Sequence, residues 1–288
     1  MSEIELACHI APWGNEGMIH ALSDIERARF KGIEMSSTVV ELYEDRVGVF
    51  NEILVEHHLQ LYAITAGGSM WPGMNLDEEV ERCLNIARFL KASGARALNL
   101  YPPRPNPESP IEDELDLMPA ATAYGEIARR TLEQDVVTCL HPEMGTCVED
   151  VKTMEKFLEM ADPEALKICV DSGWLAEAGL PLAGFVKDYK KRIGMVHLRD
   201  LKLKKGKVVK VKVKKKVKGK TVTEEHALAV ELGKGGLDLE SYVDALLTAE
   251  FNGCATIEFD PPEPGAGTLR EIAAASHVYA EHTLDLVL

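Results

Sequence analysis

The sequence predicts an α/β fold: a single closed (β/α)8 TIM barrel over residues 1–288, with a Lys-rich β-ribbon inserted after strand seven. Eight short β-rich runs alternate with amphipathic helical patterns. Most of those runs are apolar on both faces, as strands under a layer of helices must be. No Gly-rich dinucleotide fingerprint accompanies them, which disfavours a doubly wound sheet, and a chain of 288 residues suits one barrel.

The strand candidates, in order, are "ELACHIA" (5–11), "GIEM" (32–35), "LQLYAIT" (59–65), "RALNLY" (96–101), "DVVTCL" (135–140), "LKICVD" (166–171), "RIGMVHL" (192–198) and "CATIEF" (254–259). Between them, "LDEEVERCLNIARFLKASG" and "GTCVEDVKTMEKFLEM" carry apolar residues at three- and four-residue spacing, the pattern of helices with one buried face. "KASGA" (91–95) reads as a helix C-cap leading into a strand. No sequence repeat and no linker divides the chain.

Bulk properties narrow the function classes. No apolar run reaches the roughly 18 residues that a bilayer span needs. The start, "MSEIELACHIAPW", is acidic and lacks a basic region before its apolar run, so no secretory signal is expected. Six scattered cysteines without a CxxC pair indicate free thiols in a reducing cytoplasm. Net charge is −15, yet residues 201–220 hold 11 lysines and no acid, leaving −26 on the other 268 residues. A body that acidic repels nucleic acid and membrane surfaces.

In such a barrel the reactive mouth lies at the C-terminal ends of the strands. Strand five ends on His141 and Glu143, which alternation would point the same way. They would serve as metal ligands, as a general acid/base pair, or as a capped loop. Strand six ends on Asp171, strand seven on His197 and strand eight on Glu258. Each acid taken singly is as well explained as an N-cap for the next helix. Imidazole and carboxylate at four consecutive strand ends favour a divalent metal site, with Mn, Co, Zn or Mg as the fitting ions.

"CLHPEMGT", "VDSGWLAEAG", "RIGMVHLRDL", "ELGKGGLDL" and "CATIEFD", in that order and spacing, resemble the sugar phosphate isomerase/epimerase superfamily. "ACHIAPWG", "KGIEM" and "LYAITAGGSMW" resemble its inosose dehydratase branch, and the His-Pro-Glu and Asp-Ser-Gly-Trp pair is similar to relatives acting on 3-keto-glycosides. The resemblance implies a divalent metal, manganese first, on Asp171, His197 and Glu258. The family's fifth-strand Glu would fall on Cys139 here, so Glu143 is expected as the fourth ligand, or His141 in another register. Trp174 stands where epimerases carry a histidine, which suggests stacking on a sugar face.

The implied chemistry is proton abstraction next to a carbonyl of a keto-sugar or keto-cyclitol, with loss of a β-substituent. His141, Glu143 and Glu258 are the expected catalytic groups, His141 moving a proton at the leaving oxygen. The alternatives are a ketose 3-epimerase or sugar isomerase, and a non-catalytic partner subunit with a degenerate site. Trp13, Trp71 and Trp174 would face the sugar, while Glu34 or Asn99 would bind its hydroxyls. Trp13 and Trp71 read equally well as loop anchors. Arg199 is expected at the rim and, with Asp200, as a structural pair. The "GKGG" at 233–236 reads as a turn before the last helix rather than as a phosphate cradle.

Within 201–224, "KGKVVKVKVKKKVKGKTV" alternates Val and Lys around Gly206 and Gly219, so a β-ribbon is expected. Its lysines would block edge pairing or contact the acidic body of another copy or a second subunit. Without arginine or interleaved aromatics it does not suit nucleic acid. His226, just past the ribbon, would fold over the mouth as a substrate contact or remain at the surface.

Overall fold

The computed structural model describes residues 4–14, 17–67, 75–104, 117–162, 164–217, 220–262 and 267–286. Eight parallel strands close on themselves: β1 (Ile4–His9), β2 (Gly32–Ser36), β3 (Gln60–Gly67), β4 (Ala97–Tyr101), β5 (Val137–Leu140), β6 (Lys167–Asp171), β7 (Ile193–Leu198) and β8 (Gly253–Ile257). Each pairs with its sequence neighbours, and β8 returns to β1 through Ile4↔Gly253 to Cys8↔Ile257. The expected barrel is the observed one, with strand boundaries within two residues of those read from hydropathy.

A helix follows every strand and packs its apolar stripe on the barrel. Leu76–Ala92 buries Val80, Cys83, Leu84, Ala87 and Leu90, the spacing seen in its sequence. It ends at Ser93, and Gly94 adopts φ +77°, a left-handed conformation that glycine enters without a Cβ clash. Val151–Met160 begins with a capping box between Asp150 and Thr153.

The lumen is built in storeys. Ala7, Ala63, Ala97, Cys139, Cys169, Met195 and Cys254 form a small-residue cluster inside the barrel. Two residues further along each strand, one pleat nearer the mouth, stand His9, Thr65, Asn99, His141, Asp171, His197 and Thr256. The storey above the apolar floor is therefore polar. Register shifts at Ile33/Glu34 in the β2–β3 pair and at Ile168/Cys169 in the β6–β7 pair re-aim the following side chains. Gly32 sits under the Tyr62 ring, where a Cβ would come within 2.2 Å of a ring carbon.

The lysine-rich segment pairs Lys210–Val217 antiparallel with Lys220–Ala227. Lys210 ties its base to Glu177 at 3.4 Å, and Lys212 pairs with Glu225 across the ribbon at 3.1 Å. Among the described residues no helix is long and apolar enough to cross a membrane.

Candidate metal centre at the barrel mouth

The ligand atoms of Asp171, His197 and Glu258 lie within 4.8 Å of one another. Strand register explains the meeting. Asp171 pairs directly with His197 across β6 and β7. Glu258 extends the β8 ladder one step beyond its last strand residue, its N–H donating to Leu198 O at 3.2 Å. His197 is fully buried and meets a carboxylate at each ring nitrogen: Glu258 Oε2 is 3.1 Å from Nδ1, and Glu34 Oε2 is 2.9 Å from Nε2.

Asp171 does two jobs. Its Oδ1 accepts from the N–H groups of Gly173 at 2.6 Å and Trp174 at 3.2 Å, capping the helix Ser172–Glu177. Its Oδ2 accepts from the Arg199 guanidinium at 2.9 Å and lies 3.3 Å from His141 Nε2. Capping and site membership are both true of this residue.

Charge sets the protonation states. Burial pushes the Asp171 carboxyl up, but the Arg199 guanidinium and the His141 imidazole outweigh it and hold it far below the usual carboxylate range. Glu258 is similarly lowered, to about 2: burial opposes ionisation, and Arg199 and His197 override it. Glu34 is buried, yet its contacts with His197 keep it ionised as well. Burial disfavours the His197 cation, but Cys169 and Glu34 drive its pKa well above the ordinary value. Two buried carboxylates, Asp171 and Glu34, and the partly exposed Glu258 thus face the Arg199 guanidinium and the His197 cation, a net negative charge that suits a divalent cation. Two carboxylates and an imidazole are also the donor types such an ion takes, so the residues present fit a metal.

The fourth expected ligand is elsewhere. Strand pleating stops at Leu140, and His141 continues the ladder by one bond, from its N–H to Leu100 O at 2.9 Å. Pro142 then leads into a turn in which the Thr146 N–H and hydroxyl both bond to Glu143 O. His141 and Glu143 therefore do not point together: Glu143 turns to the Arg104 guanidinium, 2.8 Å away, outside the three-donor group. Burial pushes its carboxyl pKa up, against the pull of His141, Arg104 and Arg199. Cys139 sits one storey lower, in the lumen cluster.

Other expected contacts are relocated. Glu34 is fully buried and committed to His197, to the Thr65 hydroxyl and to Asn99 at 3.3 Å, so it supports the site from beneath instead of binding a sugar hydroxyl. Trp174 is 1% exposed, donates its indole N–H to Glu149 O at 3.0 Å and packs edge-on against Phe185. It is a core residue outside the barrel wall, not a sugar platform. His141 is buried too, with Nδ1 3.1 Å from Asn99 Nδ2 and its ring stacked on Tyr101. Both its nitrogens face protein groups, which suits holding Asp171 better than carrying a proton to a leaving group.

At the rim, Trp13 is half-buried, donates to Asp24 at 3.1 Å and meets Phe259 edge-on. Arg199 and Asp200 do not pair with each other. Arg199 holds Asp171, and Asp200 accepts from the N–H groups of Gly233, Gly235 and Leu237. In "GKGG" the Gly233 and Gly235 amides are thus occupied by a carboxylate and those of Lys234 and Gly236 by the carbonyls of Glu231 and Leu201, which makes this segment the expected turn. His226 lies 3.6 Å from Asp260 at the ribbon base. Trp71 lies outside the described residues. Sequence reasoning overlooked His9, Thr65, Tyr101, Cys169 and Arg104 as members or neighbours of the site; the first and fourth were visible as polar or sulfur residues at inward strand positions.

A family model described as "Xylose isomerase-like TIM barrel" matches residues 22–276. This chain belongs to that family. Among its relatives is an inosose dehydratase of Klebsiella pneumoniae (strain 342), 27% identical over 139 residues, covering 44% of this chain and 46% of the relative. The chain thus spans about half the length of that relative. An inosose dehydratase of Clostridium perfringens (strain 13) matches 99% of both chains at 23% identity. A similar solved structure is the IolI protein with a zinc atom, with a TM-score of 0.72 at 18% identity over 99% of this chain and 98% of that one.

Proposed function

We propose that this family member is a divalent-metal-dependent enzyme that removes a proton next to the carbonyl of a keto-sugar or keto-cyclitol and eliminates a β-substituent. The observation that carries the reading is the meeting of Asp171, His197 and Glu258 at adjacent strand ends, within 4.8 Å of one another. Relatives named inosose dehydratases and the zinc in IolI support it.

Asp171, His197 and Glu258 would hold the ion, which when bound polarises a carbonyl oxygen as a Lewis acid and steadies negative charge beside it. Glu34 would accept a hydrogen bond from His197 Nε2, so that Nδ1, on the side of Glu258, would give up its proton and take the ion. His141 and Arg199 fix the Asp171 carboxylate from two directions. Glu143, at the rim with a raised pKa, is the better proton acceptor, because a carboxylate of ordinary acidity is a weak base toward carbon. Its ion pair with Arg104 sets its position. Manganese suits this oxygen-rich donor set, and the six free thiols, five of them buried, suit a reducing cytoplasm.

The test is incubation of the manganese-loaded protein with scyllo-inosose and with 3-keto-glucosides. Loss of the ketone with appearance of an absorbing enone supports the proposal. A product of equal mass would make the protein an epimerase or isomerase. Absence of any turnover would leave the degenerate partner subunit as the better reading.

A further inference from the structure

A second donor set lies directly beneath the first. One nitrogen each of His141 and His197 and the Cys169 sulfur lie within 4.8 Å of one another, and all three side chains are fully buried. Cys169 precedes Asp171 by two residues on β6, so it projects into the same lumen one pleat lower. The register shift at Ile168/Cys169 aims it there.

A second observation points to a ligand at this place. Asn99 is fully buried, and its Oδ1 has no hydrogen-bond partner among the described residues. Its Nδ2 stands 3.1 Å from His141 Nδ1 and 3.4 Å from His197 Nε2. A half-turn of the amide, nearly isosteric, puts the oxygen beside both imidazoles at the cost of the 3.3 Å bond from Nδ2 to Glu34 Oε1, a cost that a cation between the oxygen and the imidazoles offsets. A buried polar atom left unpaired costs free energy, which a bound cation would recover.

We propose that His141, Cys169 and His197, with Asn99 Oδ1 in reach, form a thiophilic cation site distinct from the oxygen-rich set above it. Two imidazoles and one thiolate are a donor set for zinc or cadmium, whereas manganese and magnesium prefer the carboxylates. On binding, the Cys169 S–H bond breaks, its proton leaves to solvent and a sulfur–metal bond forms, with no change of oxidation state. The two sets share His197, and His141 also holds Asp171, so a soft ion below draws both imidazoles away from the upper set. Occupancy by zinc or cadmium therefore weakens manganese binding above. This site does not rest on the proposed reaction; it needs only the three donors.

The experiment uses cadmium alone, added to one equivalent per chain of metal-free protein in a Cys147→Ser background, which removes the one thiol that is not fully buried. An ultraviolet thiolate-to-cadmium charge-transfer band is expected, lost in Cys169→Ala and kept in Cys254→Ala. X-ray absorption of the unaltered protein with one equivalent of zinc avoids any folding defect of the variants. It should show one sulfur at about 2.3 Å. A band indifferent to Cys169→Ala, no band at all, or a zinc shell of nitrogen and oxygen only overturns the site. Glu258→Gln separates the two sets: manganese affinity falls while the cadmium band persists, and loss of both together contradicts a lower site built without Glu258. Failure to turn over a keto-sugar would remove the proposed reaction and leave this result standing.

Discussion

The Nε2 of His197 lies 2.9 Å from Oε2 of Glu34, a contact between the second and seventh strands across the lumen. It places a buried carboxylate behind a candidate metal ligand, where it selects the tautomer and raises the basicity of the other nitrogen. Glu34→Gln is therefore expected to weaken manganese affinity about 10- to 100-fold, read by calorimetric titration. An affinity unchanged in a folded variant would mean that Glu34 does not act through His197.

Asp171 offers a way to separate capping from charge. Asn at an N-cap accepts the same backbone bonds as Asp, whereas Ala does not. Asp171→Asn should exceed Asp171→Ala in stability by about 1 kcal/mol, measured by urea unfolding of the metal-free forms, while both lose manganese binding. Retained binding in the Asn variant would remove Asp171 from the ligand set.

Trp174 is placed in the core, and the expected penalties follow from that. Trp174→Ala should cost about 3–5 kcal/mol, through the cavity it leaves and the lost bond to Glu149 O. Trp174→Phe should lose less stability and leave KM for a keto-substrate unaltered. A large rise in KM in the folded Phe variant would return this residue to the sugar pocket.

Acid should unfold the metal-free protein in a defined direction. Asp171 and Glu258 have pKa values below those of the unfolded chain, Glu258 at about 2, because Arg199 and the imidazoles override burial. The unfolded state therefore binds more protons in acid. The stability these groups contribute is full above the unfolded carboxyl range, near about pH 4–4.5, and is lost as pH falls toward the folded values. Melting temperature of the chelated protein should hold from neutrality to about pH 5 and decline below it, less steeply in Glu258→Gln. A decline just as steep in that variant would mean that Glu258 carries none of the effect.

The barrel was legible because its rules are local. Alternation and flanking helix patterns place strands without tertiary knowledge, and register then delivers Asp171, His197 and Glu258 to one end. Glu143 was misplaced because alternation holds only while the chain is extended, and β5 stops at Leu140. Trp174 was misplaced because a helix begins on Asp171 itself, which rotates the following residues away from the mouth. Glu34 depends on a register shift between β2 and β3, and nothing in a linear pattern announces a bulge. The lower donor set was half legible: alternation from Asp171 puts the Cys169 sulfur on the inward face of "LKICVD", but nothing linear brings it within reach of His141 and His197 on two other strands.

The central claim is that three strand ends share one cation. Equilibrium titration of the chelated protein with Mn2+, followed by the electron paramagnetic resonance of the free ion, tests it most directly. The account predicts one tightly held ion per chain, lost in both Asp171→Asn and Glu258→Gln. A chain that leaves all added manganese free, or binds it equally well without those carboxylates, contradicts it.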